Sequence, residues 1–152
     1  MRITAKVDYA VRAAVELGRA APNEPVKGEH IASSQGIPLK FLENILVQLR
    51  SAGIVRSQRG ADGGYWLARP AASVTVADLI RAVEGPLAAV RGMQPQALDY
   101  DESARALQRV WVCLRANLRS VLEHVTVADL AAGELPPAVD VLADDPDAWA
   151  AR

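Results

Sequence analysis

The sequence predicts a mainly α chain with a small β wing, and three observations carry that reading. Apolar residues recur at helical spacing along most of the chain. Only two short stretches, within 54–59 and 65–69, alternate as strands do. A late segment repeats Leu107, Trp111, Leu114, Leu118, Val121 and Val125 in steps of four and three, the seam of a coiled coil. At 152 residues and 51% hydrophobic, the chain can bury one good core with a small appendage.

The first helix is expected over residues 2–20, where Val7, Ala10, Val11, Ala14 and Leu17 form an apolar stripe, ending at Gly18 and Pro22. Val26 reads as a brief strand. A short helix follows over 29–35, with Lys27 a poor N-cap, and Gly36 supplies a sharp bend. The next helix opens at Ile37-Pro38, since proline suits a first helical turn, and buries Leu42, Ile45, Leu46 and Leu49. Lys40, Glu43, Asn44, Gln48 and Arg50 lie on its other face, and Gly53 ends it in a position that favours a left-handed residue. Two short helices joined by a glycine turn are a helix-turn-helix, whose second helix fits a DNA major groove. Residues 54–59 and 65–69 flank a glycine-rich turn, making a hairpin wing that bears Arg56, Arg59 and Arg69. Together they predict a winged helix-turn-helix.

Beyond Pro70, Thr75 reads as the cap of a helix over 76–84, with Asp78 at its positive end and Gly85-Pro86 as its stop. Residues 87–101 show no periodicity and read as a loop. The long helix is placed at 103–125, about 35 Å long, and a dimer interface is its best use because symmetric DNA sites want symmetric proteins. A short capped helix over 126–132 and an acidic, Pro-containing, partly ordered tail complete the chain. The expected division is a DNA-binding domain at 1–85, a connecting or sensing loop at 86–102, a dimerisation helix with its capping helix at 103–132, and a tail at 133–152.

The net charge of −1 hides an asymmetry: 10 Lys/Arg against 6 Asp/Glu through Pro70, then 7 against 12. A basic front and an acidic back suit a phosphate-binding module joined to a pairing or sensing module. One cysteine, Cys113, excludes an internal disulfide and points to a reducing compartment. With no signal peptide evident and no apolar run of membrane-spanning length, a cytoplasmic protein without a membrane partner is expected. An enzyme is not expected: there is no nucleophile–base set, no metal-ligand spacing, and the Gly60–Gly64 turn leads into a strand where a phosphate-binding loop needs a helix.

Met1-Arg2-Ile3-Thr4 with Tyr9-Ala10, Gly36-Ile37-Pro38, Phe41-Leu42-Glu43, Leu49-Arg50-Ser51-Ala52-Gly53-Ile54-Val55, Ser57-Gln58-Arg59-Gly60, Gly63-Gly64-Tyr65 and Leu67-Ala68-Arg69-Pro70 follow one another in a familiar order. Ile80-Arg81-Ala82-Val83-Glu84-Gly85 and Thr126-Val127-Ala128-Asp129-Leu130 extend it. In these motifs the chain resembles the Rrf-two type winged-helix transcriptional regulators, the bacterial family of IscR, NsrR and CymR, to about Gly133. The resemblance implies a homodimeric regulator, usually a repressor, on a palindromic operator. It also implies recognition contacts from Pro38, Lys40, Phe41, Glu43 and Asn44, a wing contact from Arg59 with Gly60, and phosphate contacts from Thr4, Lys6 and Tyr9. Arg50, on the same wet face, joins the DNA-binding set.

Many members of that family ligate an iron–sulfur cluster through three cysteines before the long helix. Here Gly92, Leu98 and Ala104 stand roughly in those places, so no cofactor is expected. Direct readout would suit Asn44 to adenine and Glu43 to cytosine, with Lys40 taking guanine or phosphate; the blander reading is a solvated helix face. Arg59 has a solvated strand-end alternative, weighed against the pull of a narrow minor groove on arginine. Cys113 reads as a small buried hydrophobe, against a redox role in which oxidation disturbs the seam. A set of Cys113, Asp8 and His124 across a dimer is a remote ligand set. His30, Tyr65, Trp66 and Trp111 have ordinary solvent or packing roles. The rivals to an operator-binding repressor are a thiol- or small-molecule-responsive regulator signalling through Cys113 or the loop, and a winged-helix protein-interaction module.

Overall fold

Helix α1 (Ala5–Arg19) is the hub of the computed structural model, which describes residues 2–151. Its buried residues are mostly small, Ala10, Ala13 and Ala14 beside Val7 and Leu17, so neighbouring helices approach closely. Packed around it are α2 (Gly28–Gln35), α3 (Leu39–Ser51), α4 (Val76–Glu84) and the second strand of a two-stranded antiparallel sheet. The strands, β1 (Val55–Gln58) and β2 (Gly64–Leu67), pair Val55 with Leu67 and Gln58 with Gly64. Val26 and Tyr65 exchange backbone hydrogen bonds of 2.8 Å, so the brief strand expected at Val26 is a single bridge. The architecture is the expected one, mainly helical with a small wing.

The ends of the helices follow local chemistry. Lys27 gives α2 no side-chain cap, whereas Thr75 and Asp78 form a full capping box on α4. Thr126 and Asp129 do the same on α6 (Val127–Ala132), and the Thr126 hydroxyl and N–H hold the Asp129 carboxyl below its usual range. Short 3₁₀ turns at Ala71–Ser73, Pro95–Ala97 and Glu102–Ala104 punctuate the connections.

Several expectations change. Helix α5 (Arg105–Leu122) has 18 residues, about 27 Å, because Glu102–Ala104 forms a 3₁₀ turn and the chain leaves the helix before His124. Val125 lies beyond it, 5% exposed, its carbonyl accepting from the Val76 N–H, which takes it out of a surface seam. Val127 is fully buried, and α6 packs on α1 in the N-terminal core, not with α5. A methyl at Gly18 would stand 2.6 Å from Val127 Cγ1, so that glycine, read as a helix terminator, is a contact point between helices. The segment before α5 is no open loop: Leu87, Pro95 and Leu98 are buried. The tail contains α7 (Pro137–Ala143) and a 3₁₀ turn at Pro146–Trp149. Pro136-Pro137 starts that helix instead of breaking the chain, as proline can in a first turn.

Candidate nucleic-acid interface

The helix-turn-helix is built from two opposed demands on α3. Leu42, Ile45, Leu46 and Leu49 are each at most 1% exposed and lock its inner face to the core. At Gly36, φ is +62° and the N–H donates to the Ala32 carbonyl, the left-handed turn that redirects the chain into Ile37 and Pro38. What remains outside is Pro38, Lys40, Phe41, Glu43, Asn44 and Arg50, all exposed. The Lys40 side chain is 95% exposed and stands 3.9 Å from Glu43, a contact too open to hold either group. Phe41 meets the Tyr9 ring edge-on at 5.7 Å, and the Arg12 guanidinium lies 5.5 Å from that ring while pairing with Asp8 at 3.1 Å. Tyr9 and Arg12 thus brace the start of α3 against α1.

Sequence reasoning passed over two members of this face. Leu39 and Val47 are 38% and 49% exposed, outside the buried stripe yet apolar. Their offset from that stripe was the available signal. Exposed methyl groups on a recognition helix suit the thymine methyl in a major groove.

The wing is tied to the helices at both ends. Arg50 Nη1 donates to Ser57 Oγ at 3.2 Å, joining α3 to β1. Lys27 Nζ donates to the Gly60 carbonyl at 3.1 Å and also to that of Ala61, so the poor N-cap of α2 is the clasp of the wing turn. Gly60 has φ +104°, and its carbonyl also accepts from the Gly63 N–H at 3.0 Å. A Cβ at Gly63 would meet the Gln58 carbonyl oxygen at 2.1 Å, so that position needs glycine. Arg56 and Arg59 are exposed and have no hydrogen bond or ion pair among the described residues, whereas Arg69 pairs with Asp78 at 2.9 Å.

The start of α1 is tied to the end of α4. Thr4 caps the helix by accepting from the Val7 N–H and donates to Glu84 Oε1 at 2.7 Å. Lys6 Nζ donates to the Val83 carbonyl. Both groups, expected at phosphate, also hold the last turn of α4.

Helix α5 stands apart, with no buried residue. Trp111 Nε1 donates to the Tyr100 hydroxyl at 3.1 Å and Gln108 Nε2 to the Leu98 carbonyl at 2.6 Å, so the connecting segment covers one side. Trp111, Leu114, Leu118 and Val121 are half-buried within the chain, while Leu107, Val110 and Val112 are 37%, 54% and 42% exposed. Cys113 is exposed, contrary to its reading as a buried hydrophobe. His124 Nδ1 sits 2.9 Å from the Ser120 carbonyl, and among the described residues of one subunit it forms no metal-holding group with Cys113 and Asp8. At the foot of α5, Arg119 and Arg81 converge on Glu123, and their hydrogen bonds hold its carboxyl down at about 2.

A family model described as an iron-dependent transcriptional regulator, Rrf2, matches residues 3–133. A Mycobacterium tuberculosis protein provisionally named an HTH-type transcriptional regulator is 50% identical over 145 residues, 95% of this chain and 90% of that protein. The HTH-type regulator CymR of Bacillus subtilis is 33% identical over 131 residues, 86% of this chain and 90% of CymR. The solved CymR structure, described as the global cysteine regulator of B. subtilis, superposes with a TM-score of 0.73 at 32% identity, covering 88% of this chain and 98% of that one. A T. potens IscR structure gives 0.68 at 32% identity over 100% of this chain and 93% of its own. The word iron in the family description meets a poor donor set here. Cys113 is the one thiol of the chain, and among the described residues no three His, Cys, Asp or Glu side chains are grouped to hold a metal. A cluster ligated within one subunit therefore does not fit these residues. In fold, in helix-turn-helix and in sequence along most of its length, the chain belongs to the Rrf2 family of DNA-binding transcriptional regulators.

Proposed function

We propose that the chain acts as a homodimeric repressor that reads a palindromic operator without an iron–sulfur cluster. The observation that carries the reading is the two-sided α3, anchored by four leucine and isoleucine side chains while a polar and apolar outer face is left for the major groove. Asn44, Glu43 and Lys40 supply base-edge donors and acceptors, and Phe41, Leu39 and Val47 supply apolar contact. Arg59, unpaired beside a glycine turn, enters the adjacent minor groove, and Lys40, Arg50, Arg56 and Arg59 carry the phosphate electrostatics. Thr4, Lys6 and Tyr9 add phosphate contacts at the start of α1, where Thr4 and Lys6 also fix that helix to α4.

The second subunit covers α5. Leu107, Val110, Leu114 and Val121 recur at spacings of three, four and seven and share one face, next to the side of the helix that Tyr100 and Leu98 cover. A two-fold pairing there sets the two α3 helices about one DNA turn apart, ~34 Å. A repressor then needs only to occupy its operator. The protein acts in the cytoplasm and is not an enzyme.

The exposure of Cys113, one turn from Val110, favours a thiol-responsive version of the same regulator. DNA binding titrated against oxidant, with and without Cys113→Ser, separates the two. The main reading is tested by selecting bound duplexes from random DNA. It requires an inverted repeat; enrichment of no sequence would leave α3 without a readout role.

A further inference from the structure

A second polar site lies away from the DNA face, where α4, the connecting segment and α5 meet. An open cavity of about 220 Å³ is lined by Arg81, Gly85, Pro86, Leu87, Gln94 and Arg115. Its two arginines differ in one respect. Arg81 is already answered by Glu123 and by Asp78 at 3.7 Å. Arg115 has no carboxylate within ion-pair distance among the described residues; its Nη1 reaches only the Gln96 Oε1, at 3.3 Å. The Arg115 Nε is buried and meets no acceptor. The Arg115 guanidinium thus lines the cavity with a positive charge that no carboxylate among the described residues answers, and a bound oxyanion would supply one. Gln94 adds a donor, because its Oε1 already accepts from Gln96 Nε2, which leaves its own amide N–H groups for a ligand. Pro86 and buried Leu87 form an apolar wall beside these donors.

We infer that this cavity binds a small oxyanion, a carboxylate or a phosphate, held by Arg115 and Gln94. A cavity of about 220 Å³ open to solvent has room for a small oxyanion against these donors. The location gives such a ligand leverage. It would join α5 to the end of α4, whose last turn is in turn held by Thr4 and Lys6 at the start of α1. The inference deepens the regulator reading by giving it an effector class. Its test involves no DNA, so either idea can fail alone.

The full chain, labelled with ¹⁵N in arginine and glutamine side chains, is titrated with sodium acetate and with sodium phosphate, each against sodium chloride at matched ionic strength. The Arg115 Nε–H resonance, assigned by its loss in Arg115→Gln, should shift saturably with one of the two anions while Arg59 follows the chloride control. The anion that saturates at lower concentration identifies the source. Arg115→Gln should weaken that binding at least tenfold, read at the Gln94 amide, and Gln94→Leu should weaken it several-fold, read at Arg115. An Arg115 resonance that only tracks chloride, or an Arg115→Gln chain that keeps the wild-type affinity, overturns the site.

Discussion

Replacing Arg59 by alanine should change how DNA binding depends on salt more than it changes the protein itself. The side chain is exposed and makes no hydrogen bond or ion pair with the described residues, so its loss leaves folding within about 0.5 kcal/mol of wild type. On duplex DNA each cation that neutralises a phosphate steepens the plot of log affinity against log salt by about 0.9. A homodimer loses one such contact per subunit, so the slope should become shallower by about 1.8. Between 50 and 200 mM salt the wild-type affinity should then fall about twelvefold further than that of the variant. Fluorescence anisotropy with a selected duplex across that range measures both slopes. Equal slopes would refute a wing contact to phosphate or minor groove. A change of about 0.9 would mean that only one wing engages.

Other outcomes follow from the same geometry. Leu49→Ala, at a fully buried position, should lower stability by about 2–5 kcal/mol in urea denaturation. Gly18→Ala should destabilise by about 1–3 kcal/mol although alanine is the better helix former, because its methyl would stand 2.6 Å from Val127 Cγ1; a gain in stability would contradict the tight α1–α6 contact. Val110→Asp, at a position 54% exposed, should leave the subunit folded by circular dichroism while lowering the sedimentation coefficient to that of a monomer. Glu123 is held at about 2 against an ordinary 4.5, so its contribution to stability is complete above 4.5 and is lost as pH falls through that window towards 2. Glu123→Gln should flatten the acid limb of the stability curve there and leave the neutral limb unchanged in slope.

The parts legible in the sequence were those fixed by local chemistry. The period of Leu42, Ile45, Leu46 and Leu49 located α3, glycine at 36 located the turn, and Thr75 and Thr126 located two capped helices. The wing was legible because its strands alternate around a turn that only glycine tolerates. What escaped depends on distant partners. The six-residue seam looked continuous, but Val125 lies in the core beyond the end of α5, and residues 87–101, with no periodicity of their own, fold against Trp111. Nothing local announces that Lys6 and Thr4, expected at phosphate, have Val83 and Glu84 within reach. Leu39 and Val47 fell between categories, too apolar for a wet face and out of phase with the core. Arg115 carried no signal at all, since an unpaired N–H is a property of what surrounds it.

Sedimentation of the protein with its selected duplex in 50 mM salt tests the central claim most directly. The account predicts two chains on each operator, with Val110→Asp abolishing that species and Asn44→Ala weakening it at selected base pairs only. A single chain per duplex, or no complex at this salt, would contradict it.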